Sequence, residues 1–460
     1  MKKFIKYLTA FLFFVLALCV AVASVASYMF DKKINLALKK FNDKQNKLEL
    51  FYESKAHTFF SKKGLLYVNI NKTPLGQVKL CFDLELDFSL NGVSAQFQRL
   101  SHKGNLDELL SAYNIPSLKL SGSARVDPVA LKGTFDVKID GFEYPLSDGL
   151  CTVGSQRLYA KNSSFNSVNV IYETKGINCK SSKLYNARPA YMVLLEDLKL
   201  SQKVNIDRKE KQFSLDTTNL DINRILLDSS TLYLIGFEPE DEVKDKSIRD
   251  RVDLSKISLK GKLVDKDAGN YSVLLDMNNS LSFAFPYMKK NRVVQGYDFE
   301  NMHTSFEFGK FNLKKIENIL KFGDYTELPK ALSNPLDLNV KDYSFTLKGA
   351  KARTSGLMRV MFDDNQKLKD AYLDFYLEGE KKLIDEYLSK EYLSSFNIML
   401  NNSLISRNND KYKTHFVFKD KKVTFNDKEM DFSSDDSEES DDITLQNDDL
   451  LDETIQTKIQ

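Results

Sequence analysis

Val78-Lys79-Leu80-Cys81-Phe82-Asp83-Leu84-Glu85-Leu86-Asp87-Phe88-Ser89-Leu90 alternates without a break. Val78, Leu80, Phe82, Leu84, Leu86, Phe88 and Leu90 take every second position, and charged or small residues fill the others. Successive side chains of a strand point to opposite faces, so this repeat predicts a β-strand with one buried face and one wet face. Shorter runs of the same period follow at Leu131 to Ile139, Val168 to Tyr172, Phe213 to Ile222, Ile257 to Val264, Tyr271 to Met277, Ser305 to Phe311, Leu336 to Leu347, Ala371 to Leu377 and Tyr412 to Phe418. Lys, Asp and Asn mark the turns between them, and too few helical segments intervene to supply βαβ crossovers. The expected fold is therefore mainly β: a long antiparallel, elongated and curved sheet or meander with a few covering helices.

Those helices are placed at Asn105 to Tyr113, Asn312 to Lys321 and Lys381 to about Leu400. In the last, Ile384, Leu388, Tyr392 and Phe396 form one stripe that predicts a cover for a sheet face or a plug at one end. The charged stretch Glu238 to Arg251 reads as a long exposed loop, with a linker between two halves as the alternative.

The N-terminus carries a different signal. Lys2, Lys3 and Lys6 precede an uncharged run from Tyr7 to Phe30. As a helix this run is roughly 36 Å long, enough to span a bilayer core. Lysines ahead of it predict a single pass with the remaining chain on the far side. Tyr7, Tyr28 and Phe30 suit the interfaces, while Phe14 and Leu18 belong to the apolar interior. A cleaved secretory signal ending at Ala21-Val22-Ala23 is the alternative, although the run continues past that site. Leu18 directly before Cys19 disfavours lipoprotein processing, so Cys19 reads as apolar filler. Phe30, Ile34, Ala37, Leu38 and Phe41 recur at helical spacing and predict a short stalk over residues 31–48.

The β-rich unit should then occupy residues 49–432, followed by an acidic tail at 433–460. From Glu429 onward there are twelve acids and one base. Such a composition cannot bury enough surface to order itself. The rest of the chain carries an excess of thirteen bases over acids, which an anionic membrane surface would attract, although an ordinary solvated, lysine-rich surface is the favoured reading.

Three cysteines lie beyond the apolar run. In an oxidising compartment Cys151 and Cys179 can close a loop of about 28 residues, and Cys81 then remains as a buried free thiol. Pairing of Cys81 with either of them is the other reading.

Catalytic signatures are absent. His57, His102, His303 and His415 stand alone, without the local spacing of a zinc site, and no Cys-x-x-Cys occurs. Gly-x-Ser-x-Gly and the phosphate-binding glycine loop are missing as well. Sixty-four acids make any chosen carboxylate pair uninformative. Asp265-Lys-Asp267-Ala-Gly269-Asn270 lacks most of a calcium loop and reads as a hairpin turn. Dispersed bases argue against nucleic acid as a partner. No cofactor is expected.

Three segments resemble the YdgA-like family of bacterial envelope proteins. The first is the apolar N-terminus followed by Leu48-Glu49-Leu50-Phe51-Tyr52-Glu53, Phe59-Phe60-Ser61 and Leu65-Leu66-Tyr67-Val68. The second is Asn334-Pro335-Leu336-Asp337-Leu338 with the hairpin from Ser344 to Phe362, and the third is Phe416 to Phe432. Together they cover about a fifth of the chain. His102-Lys103-Gly104 stands where the family has a His-Gly-Pro-like turn. The resemblance implies inner-membrane anchoring with the bulk in the periplasm; it implies no catalytic residues, because the family's biochemical function is unknown.

The expected function is thus non-enzymatic. An apolar sheet face led by Val78 to Leu90 must be covered by a second layer, a helix or a lipid-like ligand. A lipid or another envelope component is the expected partner, an assembly scaffold is the alternative, and an unrecognised hydrolase is third.

Overall fold

The computed structural model describes residues 33–43, 48–229, 250–284, 297–322 and 331–430. Short gaps fall at 59, 74–75, 90–91, 128–131, 165, 186–187, 208–211, 268–269, 333, 364–366 and 388–389. The expected anchor residues Tyr7, Phe14, Leu18, Tyr28 and Phe30, the groove residue Leu90 and the tail 433–460 lie outside the described residues. Among those described, no helix is long and apolar enough to cross a membrane.

Twenty-two strands join in one open antiparallel sheet. It begins as a meander, Leu48–His57, Ser61–Thr73, Gly76–Ser89, Gly92–Gly104, Leu120–Asp127 and Lys132–Ile139. The order then skips once. Lys132–Ile139 pairs with Gln156–Ser164, and the hairpin Phe142–Leu146/Gly149–Val153 is set aside. Both Gln156–Ser164 and Gly149–Val153 bind the same edge of Ser167–Ser181, one beyond the other. From there strands add in sequence order to Lys428–Met430, except that Ser406–Asn408 shares one edge of Lys411–Lys419 with Lys422–Phe425, and Leu184–Tyr185 pairs with Arg188–Pro189 apart from the sheet. Ser229 lies directly opposite Asp250, so the sheet is continuous across 230–249. Nineteen strands stand in line at about 4.8 Å spacing, giving roughly 85 Å along the hydrogen-bonding direction. Among the described residues the first pairs only with the second and the last only with its predecessor, so the sheet is open.

The best-buried part surrounds the segment with the strongest alternation. Leu84, Leu86 and Phe88 form the core cluster, packed by Tyr52, Leu66, Val93, Ala95 and Phe97. Val78 and Phe82 are buried and Leu80 is half-buried. Cys81 points the other way yet is fully buried and free, opposite Tyr67. Burial raises its thiol pKa above the ordinary value. Gly64 lies under the Tyr52 ring, and a Cβ there would stand 2.6 Å from that ring.

Helices are small and peripheral. Residues 33–42 form one, tied to the first strand because the Asn42 amide both donates to and accepts from the Leu50 backbone at 2.9 and 3.0 Å. Leu106–Ser111 buries Leu110 at the start of the sheet. The expected helix from Lys381 is two pieces, Lys381–Tyr387 and Lys390–Asn401. Its stripe is only partly used: Phe396 packs edge-on against Tyr412, whereas Tyr392 is 65 % exposed. A short amphipathic helix needs only its inward residues to be covered, and Tyr392 lies outside that contact.

Cys151 and Cys179 stand directly opposite each other and are disulfide-bonded, which clamps the hairpin to the sheet. Replacing both with serine should lower unfolding free energy by about 3–4 kcal/mol by the loop-entropy relation, read from urea midpoints with and without reductant. Parent and double variant should converge once the parent is reduced.

Candidate functional site

Residues directly opposed in a ladder share a face, so the pairings trace each face across the sheet. One continuous row runs Leu84, Phe97, Gly122, Val137, Leu158, Tyr172, Leu200, Leu220, Leu259 and Met277. A parallel row reaches from Leu275 through Phe306, Val340, Gly356 and Phe375 to Phe416 and Phe425. Both are overwhelmingly apolar. The row on the opposite face reads Lys138, Arg157, Glu173, Lys199, Asp221, Ser258, Asn278 and His303.

Among the described residues no second layer covers the apolar face over the middle of the sheet. Strands make their substantial contacts with hydrogen-bonded neighbours, and the helices touch only a few strand ends. Phe135, Leu158 and Leu377 are 40, 39 and 44 % exposed there, and the remaining apolar residues of these rows are mostly half-buried. Side chains on a bare single layer bury against lateral neighbours only, and this is the pattern observed. Phe97 bridges Phe82 at 5.9 Å and Phe135 at 6.2 Å. The expected groove residues Val78 to Phe88 thus lie at the well-covered beginning of a much longer apolar track.

A line of kinks crosses the sheet and extends that track. Gly176, Asp197, Lys256 and Asn301 all have positive φ within strands. Around Asn279 the neighbouring strands each carry one extra residue, so two successive apolar positions fall three apart instead of two. Leu195 with Leu198, Ile222 with Ile225, Leu254 with Ile257, and Phe299 with Met302 show this step. Its consequence is that Ile177, Leu195, Ile225, Leu254, Leu281 and Phe299 rejoin the apolar face beyond the kink. Gly176 is fixed by this geometry, since a Cβ would lie 1.7 Å from the Leu195 carbonyl. A groove of about 760 Å³ follows the line between the polar row and Lys175, Asp197, Asn223 and Lys256. Ion pairs such as Glu173 with Lys199 and Lys175 with Asp197, each at 3.0 Å, cross it.

The polar face also holds the arrangement closest to catalytic chemistry. His415 Nε2 is 2.9 Å from Asp374 Oδ1, Tyr372 donates its hydroxyl to Asp374 Oδ2 at 2.8 Å, and the Tyr376 ring stacks on the imidazole at 4.0 Å. Burial pushes the Asp374 carboxyl up, but hydrogen bonds from His415 and Tyr372 outweigh it and hold the pKa below the ordinary value. Among the described residues no serine, threonine or cysteine is hydrogen-bonded to the His415 ring, whose hydrogen-bond partner is Asp374. No group of three or more His, Cys, Asp or Glu is placed to hold a metal among the described residues.

Comparison with protein-family models, curated proteins and solved structures finds no match to the chain.

One polar-face cluster sets an acid response. Glu378 lies between Lys411 and Lys413, whose hydrogen bonds pull its carboxyl down to about 2. A depressed carboxylate stabilises the fold above its unfolded pKa and loses that contribution as pH falls toward the folded value. Glu378→Gln should therefore remove part of the loss of melting temperature between about pH 4.5 and 2, seen as a shallower pH profile by circular dichroism.

Proposed function

We propose that this chain is a non-enzymatic, membrane-tethered protein of the bacterial envelope whose apolar sheet face holds the acyl chains of lipids. One observation carries the reading: a continuous apolar track crosses a single-layer open sheet, and its central residues Phe135 and Leu158 are left 40 and 39 % exposed. A monomeric soluble protein rarely leaves a long contiguous apolar strip bare. A flexible hydrocarbon is the ligand that a strip one layer deep can cover without needing a shaped cavity.

The setting is supported from three sides. Lys2, Lys3 and Lys6 before the uncharged run Tyr7 to Phe30 fit a single-pass inner-membrane anchor. The Cys151–Cys179 disulfide suits the oxidising periplasm. The resemblance to YdgA-like envelope proteins points to the same location. An alternative partner is another envelope protein. It is favoured by the first strand, Leu48–His57, which among the described residues has one neighbouring strand and whose outer edge is held by the Asn42 amide at Leu50.

Native mass spectrometry of the full chain, released from detergent micelles, tests the proposal. Lipid adducts should accompany the parent and drop at least severalfold in Phe135→Glu/Leu158→Glu, whose folding is spared because both positions are solvent-accessible. A parent free of lipid, or adducts equal in the two proteins, refutes the acyl-chain site.

A further inference from the structure

The apolar face is not uniform. Beyond the kink, near the ends of strands Asn270–Ala284, Tyr297–Asn312 and Leu336–Leu347, it becomes aromatic. Phe283 and Tyr297 lie 5.5 Å apart, Phe299 and Phe345 5.2 Å, and Tyr343 and Phe345 6.1 Å. Leu347 and Ala350 close this region and are buried.

Set into the same face are two buried polar atoms without partners. Asn279 is 7 % exposed, and its amide nitrogen donates only to the Met302 sulfur at 3.6 Å, leaving Oδ1 unpaired. Thr354 Oγ1, directly opposite Tyr343, is buried and unpaired as well. Buried acceptors nearly always find a donor, because stranding one forfeits the hydrogen bonds it made to water. Neither atom serves the ladder, which is made by backbone groups.

We infer that this aromatic stretch is a ligand station that takes a neutral long-chain amphiphile through a hydroxyl at its polar end. The inference rests on the acyl-chain reading of the face and adds the chemistry of the headgroup. Asn279 Oδ1 accepts from the ligand hydroxyl, while the hydrocarbon lies over the Phe299 and Leu347 side of the track. A neutral end is specified because the rows from Met277 to Phe283 and from Tyr343 to Leu347 place no charged side chain on this face. An anionic or cationic headgroup would be desolvated there without a counter-charge. A wholly apolar ligand would leave Asn279 unpaired.

The test uses the full chain in detergent with two photoreactive probes, hexadecanol bearing a mid-chain diazirine and its methyl ether, which lacks only the hydroxyl donor. The alcohol should label peptides containing Phe299 and Tyr343 about tenfold more than the ether, the value of one good hydrogen bond. In Asn279→Leu that ratio should fall to near one with ether labelling retained, and the melting temperature should change little, because the one hydrogen bond removed is the long one from the amide nitrogen to the Met302 sulfur. Asn279→Ala should bring the ratio to near one in the same way and decides the matter if Asn279→Leu does not fold. Equal labelling of the parent by both probes, or a ratio unchanged in the variants, overturns the station but leaves the acyl-chain reading standing. Labelling by neither probe overturns both.

Discussion

Every strand carries backbone donors and acceptors along both edges, and in this protein almost every one is met by the next strand in line. Among the described residues the chain answers that demand by extending one sheet nineteen strands across, open at both ends. The remaining features descend from that choice. Two faces are exposed to different surroundings over the whole width, so the sequence must alternate wherever the sheet is regular. Burial is deep only where other elements gather, around Leu84, Leu86 and Phe88, and shallow in the middle. Truncating a residue such as Leu86 to alanine costs about 2–5 kcal/mol, whereas the central apolar side chains contribute chiefly by shielding one another.

The kink line shows how such a sheet handles long strands. Strands of fifteen to eighteen residues, such as Ser167–Ser181 and Asp250–Asp267, outrun one unbroken apolar face. Positive φ at Gly176, Asp197, Lys256 and Asn301 shifts the phase, so both halves of each strand turn apolar residues to the same side. The opposite face is held in register by cross-strand ion pairs, among them Arg157 with Asp136 and Lys413 with Glu378. Exposed pairs of this type contribute little energy each, and their value lies in penalising a one-residue slip, which would bring the apolar rows to the wet side.

Much of this was legible in the sequence, because a period of two survives wherever a strand has one apolar face. Val78 to Phe88 announced the sheet, and the antiparallel mode followed from the lack of helices between strands. The long strand Tyr191–Asp207 carries no unbroken period of two, since its apolar residues Leu195 and Leu198 sit three apart and break the repeat. That same three-residue step recurs at Ile222/Ile225, Leu254/Ile257 and Phe299/Met302, so the kink line has a signature, although no single strand reveals it. The skip from Lys132–Ile139 to Gln156–Ser164 had no local signal, and neither did the approach of His415 to Asp374, which are 41 residues apart. Cross-strand neighbours are set by register, a property of two segments at once. Asn279 and Thr354 read as ordinary strand residues until their partners were known.

The meander order also governs how the fold can be assembled. Because nearly every ladder joins segments near each other in the chain, many new pairs close through a short turn, and the entropic cost of bringing distant segments together is reduced. A growing polypeptide can therefore lay down the sheet from Leu48 onward, one strand at a time, using the last-formed strand as the template for the next. Only the segment between Ile139 and Gln156 must wait, its hairpin bound in place once Ser167–Ser181 has arrived and offered Cys179 to Cys151.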